Sequence, residues 1–383
     1  MIIVDAHEDL AWNILSFGRD YALSVDEIRR SEAGSQFSGL NGDALLGWPE
    51  YQRGQVAVVF ATLFASPERR RVGSWDTLWY ATPDQANRVY RSQVDSYQRF
   101  VETHSQKFRL IHSTIDLHEV LQAWEKSGPV LDSAPDHQEA DQDSGSPSLE
   151  GRPPVGLVLL MEGAEGVRAP GELEEWWQLG VRIIGPAWAG TRFCGGTREP
   201  GPLTPEGYAL LEAMAEVGFI LDLSHMDEQA VLQSLDSYPG TIIASHSNAN
   251  ALLKGVETNR HLSDRAIQGV IERGGMIGVV PVNPFLVPGW KDGDPRQDVT
   301  LNHIIAHIDY ICQMAGDASH VGFGTDYDGG FGLQSVPADI NSLADLQKLY
   351  QPLVEKGYSE KDIAAIFGNN WIERLSSVLP EAS

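Results

Sequence analysis

Residues 1–10 read MIIVDAHEDL, and the segment Val4-Asp5-Ala6-His7-Glu8-Asp9 decides how the rest of the chain is parsed. Met1-Ile2-Ile3-Val4 has the apolar, β-branched character of a buried strand, so the polar group lies at that strand's C-terminal end. Alternate side chains of a strand share a face, which sets His7 and Asp9 on one side and Glu8 on the other. An imidazole and a carboxylate side by side at a strand end are competent to chelate a metal. A polar surface turn has the same composition, and the remaining strand ends must decide between the two.

Further apolar runs of strand length follow near Val56–Leu63, Val155–Met161, Val181–Pro186, Phe219–Leu223, Thr241–Ala244, Met276–Val280 and His320–Thr325. Amphipathic helical patterns separate most of them, at Asp84–Thr103, Leu117–Lys126, Gly171–Leu179, Thr204–Val217, Asp227–Ser234, Ser263–Arg273 and Leu301–Ala315. Cap signals such as Thr204-Pro205-Glu206 and Ser263-Asp264 open several of these. Eight strands with intervening helices predict an α/β fold, a (β/α)8 TIM barrel. A doubly wound open sheet is the rival, and no Gly-x-Gly-x-x-Gly loop follows the first strand to support it.

The chain of 383 residues, 42% hydrophobic, is long enough for one barrel domain spanning residues 1–383 without staples. Residues 131–151, LDSAPDHQEADQDSGSPSLEG, are acidic and almost free of large apolar side chains, so a mobile surface insertion is expected there; His137 within it receives no role. A net charge of −25 disfavours nucleic acid and anionic membranes as partners, because both require positive potential. Two cysteines, Cys194 and Cys312, exclude a disulfide framework and fit a reducing compartment. With no basic leader and no 18-residue apolar run, a cytoplasmic protein is the expectation.

In a barrel of this kind, chemistry gathers at the C-terminal ends of the strands. The first strand ends in His7 and Asp9, the third in Glu162, the fifth in His225, the sixth in His246 and the eighth in Asp326. Taken singly, each has an ordinary structural explanation. A solvated surface gives no reason for all six to recur at strand ends. Nitrogen and carboxylate donors without thiolate suit zinc, with manganese, iron and cobalt as alternatives. Three His, one Asp and one Glu exceed what one open tetrahedral ion needs, so two divalent ions sharing Glu162 are expected. Such a pair holds a bridging hydroxide at neutral pH and polarises a carbonyl or phosphoryl oxygen. Asp326 is left as the proton shuttle. Asp328 would share its direction in a continuing strand, or only shape the turn.

His7-x-Asp9, Met161-Glu162-Gly163, Asp222-Leu-Ser-His225, Ser245-His246-Ser247, Asn259-Arg260 and Gly322-Phe-Gly-Thr-Asp326-Tyr-Asp328-Gly329 together resemble the renal (membrane) dipeptidase family of metal-dependent amidohydrolase barrels. The resemblance implies one zinc at His7, Asp9 and Glu162 and a second at Glu162, His225 and His246. It implies Asp326 as acid/base and Arg260 as the grip on the substrate's carboxylate or developing oxyanion. It further implies hydrolysis of dipeptides, some with a D-residue in second position, and a homodimer as one oligomeric state. Trp188 departs from the pattern: ungapped counting places it where family dipeptidases carry a histidine contacting substrate. An indole accepts no proton and offers one donor. Arg192, on the same loop, is a candidate replacement donor or a surface arginine.

Two other functions stay open: a sister amidohydrolase acting on a non-peptide amide, lactone or phosphoester, and a non-catalytic binding relative. A cofactor-dependent barrel enzyme is disfavoured, because no glycine-rich phosphate loop or strand-end lysine is found. The Pro/Gly-rich loop from Asn283 through Trp290 is expected to wall the site, with Asn283 toward substrate. His303 and His307 have the i, i+4 spacing of a metal pair but lack the glutamate of His-Glu-x-x-His, and a helix-packing role is expected. His261 is a candidate support for Arg260.

Overall fold

The structure, a computed structural model, describes residues 1–130 and 149–382. Most of the segment expected as an insertion, including His137, therefore lies outside the described residues. Eight parallel strands form the frame: β1 (Ile3–Glu8), β2 (Val56–Phe64), β3 (Val155–Glu162), β4 (Val181–Gly185), β5 (Ile220–Asp222), β6 (Ile242–Ala244), β7 (Met276–Val279) and β8 (Val321–Phe323). Each pairs with the next, and β1 also pairs with β8, which closes the barrel. All eight residues of β3 and all nine of β2 are buried. A parallel sheet covered by helices has no solvent face, which is why these strands are unbroken apolar runs without alternation.

The pairing registers explain two local features of the site. From Val58↔Gly156 to Phe64↔Glu162, β2 and β3 run seven residues in step, which delivers Glu162 to the rim. Between β1 and β2 the register slips, since Asp5 pairs with Val59 but Glu8 with Ala61. The extra residue of β1 lies around His7, and a bulge of this kind re-aims the side chain it carries. A short strand, Phe108–Leu110, fills the gap beside β3 below the point where β4 begins.

Helix Pro83–Thr103 shows how the outer layer supports the rim. Thr82 caps it by accepting from the Gln85 amide at 3.2 Å, and Pro83 supplies a preset φ at the first turn. Its apolar stripe of Ala86, Tyr90, Val94, Tyr97 and Phe100 is buried. Two tyrosines of that stripe reach the barrel top. Tyr97 donates to the Thr62 carbonyl at 2.8 Å and accepts from the Ala11 amide, and Tyr90 donates to the Glu162 carbonyl at 3.0 Å.

Several elements escape the sequence patterns. Four short helices, Leu10–Phe17, Val25–Glu32, Phe37–Asn41 and Trp48–Gly54, occupy the crossover from β1 to β2. A hairpin, Cys194–Gly196 with Glu199–Leu203, follows β4. The predicted helix Gly171–Leu179 is shorter, Leu173–Gln178, behind a tight turn at Pro170–Glu172. Helix Asn370–Val378 closes the underside of β8: Asn370 donates to the Ala318 and Val321 carbonyls, and Trp371 to that of Phe323. Among the described residues no helix is long and apolar enough to cross a membrane.

Candidate active site

His7 and Asp9 close β1, Glu162 ends β3, and His225, His246 and Asp326 follow β5, β6 and β8 within three residues. All six meet at the barrel mouth, and each is at most 7% exposed. His7 Nε2 lies 3.9 Å from Asp9 Oδ2, 3.8 Å from Glu162 Oε1 and 3.9 Å from Asp326 Oδ1. Glu162 Oε1 lies 3.0 Å from His225 Nε2 and 3.4 Å from His246 Nε2, and those two nitrogens are 2.9 Å apart. Donors bonded to one tetrahedral zinc at roughly 2.0 Å stand about 3.3 Å apart. The Glu162–His225–His246 triangle has that size. His7, Asp9 and Glu162 form a second group around the same carboxylate.

The electrostatics favour the same use. Burial lowers the proton affinity of His7, His225 and His246, with Arg260 and the neighbouring imidazoles adding to it. The approaches of His7 to three carboxylates are therefore not ion pairs, because the imidazole stays neutral. Burial and mutual repulsion raise the carboxyl groups, Asp9 to about 6 and Glu162 and Asp326 well above their usual range. Both ring nitrogens of buried His7 lack a hydrogen-bond partner. Neutral imidazoles with free lone pairs, set among crowded carboxylates, are matched by divalent cations and by little else.

A surrounding layer orients these groups. Ser245 donates to Asp222 Oδ2 at 2.5 Å, which uses its single hydroxyl proton. The same hydroxyl is 2.8 Å from His246 Nδ1 and so accepts the Nδ1 proton. That tautomer leaves the His246 Nε2 lone pair facing Glu162. Thr197, from the hairpin after β4, holds His225 Nδ1 at 2.9 Å, and Thr62 bonds Asp9. Asp5 staples β8 beneath Asp326 by accepting from the amide and hydroxyl of Thr325 at 2.7 and 2.5 Å. His225 and Asp326 both take left-handed backbone conformations, φ 66° and 57°, which side chains larger than glycine seldom adopt. Gly329 is required for space: a Cβ there would stand 2.2 Å from Asp326 Oδ1 and 2.6 Å from Asp9 Oδ2.

The site opens into a cavity of about 280 Å3, lined by Trp12, Phe64, Trp188, Phe285 and Phe331 as its apolar wall. Arg260 lines it too, donating to Ser247 at 3.4 Å while its buried Nη2 has no hydrogen-bond partner. Trp188 lines it with its ring edge-to-face on Phe64. Asn283, expected toward substrate, does not line this cavity, and neither does Arg192, which matches the surface-arginine alternative. The Arg192 guanidinium is spent on Glu165, Glu206 and the Val167 carbonyl, and Asn283 donates to the Val336 carbonyl from a buried position. Asp328 turns away from Asp326 to pair with Arg19 at 3.1 Å and to accept from Tyr21 and the Leu45 amide, so it holds the turn.

Two histidines prove to be helix furniture, as expected: His303 accepts from the Thr300 amide, and His307 from that of Ala249. His261 accepts from the Asn248 amide at 3.4 Å and packs its ring edge-to-face on Phe285. Asp5, Thr62, Thr197 and Ser245 were not singled out from sequence as supporting groups, since only the fold brings each to its partner.

Residues 146–379 match the membrane dipeptidase family, peptidase family M19. An uncharacterized protein of the pqqA 5′ region of Klebsiella pneumoniae is 31% identical over 234 residues, 58% of this chain and 82% of the relative. Dipeptidase tcpJ of Claviceps purpurea is 24% identical over 298 residues, 75% of this chain and 59% of its own length. The crystal structure of a metallopeptidase from Rhodobacter sphaeroides, bound to a phosphinate mimic of the dipeptide L-Ala-D-Ala, superposes with a TM-score of 0.71 over 99% of each chain at 22% identity. The strand-end residues and the family match agree: the chain belongs to the membrane dipeptidase family of metallopeptidases.

Proposed function

We propose that this chain, acting as one barrel domain, hydrolyses the peptide bond of dipeptides with two divalent ions, zinc first among them. His7, Asp9 and Glu162 would hold one ion, and Glu162, His225 and His246 the other. The observation that carries this reading is the position of Glu162, whose Oε1 lies within 3.8 Å of all three imidazole Nε2 atoms. When bound, the ions lower the pKa of water and polarise the scissile carbonyl. The protein's own groups do the rest. Arg260 offers its unpartnered Nη2 to the α-carboxylate of the second residue. Asp326, raised by burial and by Asp9, accepts a proton from the attacking water and returns it to the amine as the C–N bond breaks. The aromatic wall excludes bulk water.

A D-residue in second position belongs to the same proposal, supported by the ligand of the Rhodobacter sphaeroides relative. Two unpaired, buried cysteines support a reducing, cytoplasmic setting. Trp188 on the cavity wall favours a second reading, a sister hydrolase of non-peptide amides or lactones. A panel of L,L- and L,D-dipeptides, amides and lactones tests both, with Asp326→Asn as control. The expected result is dipeptide turnover, with kcat roughly 10²- to 10⁴-fold lower in the variant and metal content retained. Parental turnover by Asp326→Asn would remove the acid/base assignment.

A further inference from the structure

The cavity carries more positive charge than an ordinary dipeptide requires. Its lining carboxylates, Asp9, Glu162 and Asp326, all sit at the inner end among the imidazoles. It also presents Arg70, Arg198 and Arg260, of which buried Arg260 lies close enough to feel the charges of Asp326 and Glu162. Arg70 is already paired with Glu199 at 2.8 Å, and Arg69 shares that carboxylate at 2.6 Å. Glu199 is therefore not available to its neighbour Arg198. Among the described residues the exposed Arg198 guanidinium has no hydrogen-bond or ion-pair partner. A dipeptide with uncharged side chains brings one carboxylate, which leaves one of the two free guanidiniums, Arg198 or Arg260, without a counterpart.

Backbone connections set where the surplus charge lies. Arg198 sits at the tip of the hairpin after β4, held at φ 63°. Its amide donates to Asn259 Oδ1 at 2.9 Å, and the Asn259 amide group donates in turn to the Gly196 carbonyl and to Asp227. Asn259 is the residue before Arg260. Arg198 and Arg260 thus spring from backbone segments tied to each other, and both line the same cavity. In a chain of net charge −25, an anionic ligand is repelled at long range, and two arginines that line one cavity, neither in an ion pair among the described residues, offset that field locally.

We propose that the substrate's C-terminal residue carries an acidic side chain, which Arg198 recognises while Arg260 takes the α-carboxylate. This inference rests on the dipeptidase reading. The test compares kcat/KM of the metal-loaded full chain on Ala-Glu and Ala-Gln, and on Ala-D-Glu and Ala-D-Gln. The parent is expected to favour the acidic member of the hydrolysed pair by up to about fivefold, since an exposed ion pair contributes up to roughly 1 kcal/mol.

Arg198→Asn, whose short side chain tolerates the left-handed backbone, should bring the ratio near one. Arg198→Lys should restore most of it, and added salt should erode the parental preference. A parental ratio at or below one overturns the inference by itself, whatever the variants do. An unchanged ratio in a folded Arg198→Asn does the same. Failure to hydrolyse any dipeptide is a separate outcome, which removes the dipeptidase reading and this inference with it.

Discussion

Gly329→Ala is a small change with a large expected effect, and its size follows from distances. The added methyl would lie 2.2 Å from Asp326 Oδ1 and 2.6 Å from Asp9 Oδ2. Carbon and oxygen in ordinary contact stand about 3.3 Å apart, so the Asp326 carboxylate must retreat by about 1 Å. Displacement of that order at reacting groups costs about 10²-fold in rate, or about 2.7 kcal/mol of transition-state stabilisation. Gly329 does not occupy the left-handed backbone region, so the effect is one of space alone. Gly330 makes the contrast. Its φ is 87°, and a Cβ there meets nothing within 4 Å. Gly330→Ala should therefore lose about 1 kcal/mol of folding stability while keeping its metal. The assay is kcat/KM on the best dipeptide, with metal content and chemical denaturation measured on the same samples. Parental kcat/KM and full metal content in Gly329→Ala would show that Asp9 and Asp326 do not need the positions assigned to them.

Thr197→Val removes the 2.9 Å contact to His225 Nδ1 at nearly constant volume. Metal affinity should fall 10- to 100-fold in a competitive chelator titration, and an unchanged affinity would separate the hairpin from the metal centre. His307, which is not one of the strand-end groups, offers a pH test. Burial, with neighbouring His303 adding to it, lowers its pKa from 6.5 to about 4, so the folded protein keeps it neutral. Above pH 6.5 neither state is protonated and nothing is lost. As pH falls toward 4, the unfolded chain gains a proton that the folded one refuses, and stability declines by up to about 3 kcal/mol. His307→Asn, still able to accept from the Ala249 amide, should lack that portion of the acid-induced loss in metal-free denaturation curves. Parallel curves for parent and variant from pH 7 to 4 would contradict it.

The barrel was legible because each strand covered on both faces is an apolar run of strand length, and because caps such as Thr204 and Ser263 punctuate the helices between. The strand-end donors were legible for the same reason: the fold converts sequence position after an apolar run into position at the mouth. Groups that act across the chain were not. Thr197 is one of many threonines until the hairpin lays it on His225, and Asp5 needs the β1–β8 seam to find Thr325. The four helices between β1 and β2 are five to eight residues long, too short for a periodic signal. Arg192 could not be decided from sequence because lying on the right loop does not say which way a side chain turns. Glu165 and Glu206 supply the nearer charges and claim it.

Whether two cations sit among these groups is decided most directly by elemental metal analysis of the purified parent beside Glu162→Gln. Glu162 is the one side chain common to the two donor sets proposed for the ions, so its carboxylate should matter to both at once. The expected result is about two equivalents of zinc or a similar divalent ion in the parent, and loss from both positions in the variant. A parent that turns over dipeptides with fewer than one equivalent, or a variant that keeps two, would contradict the proposed centre.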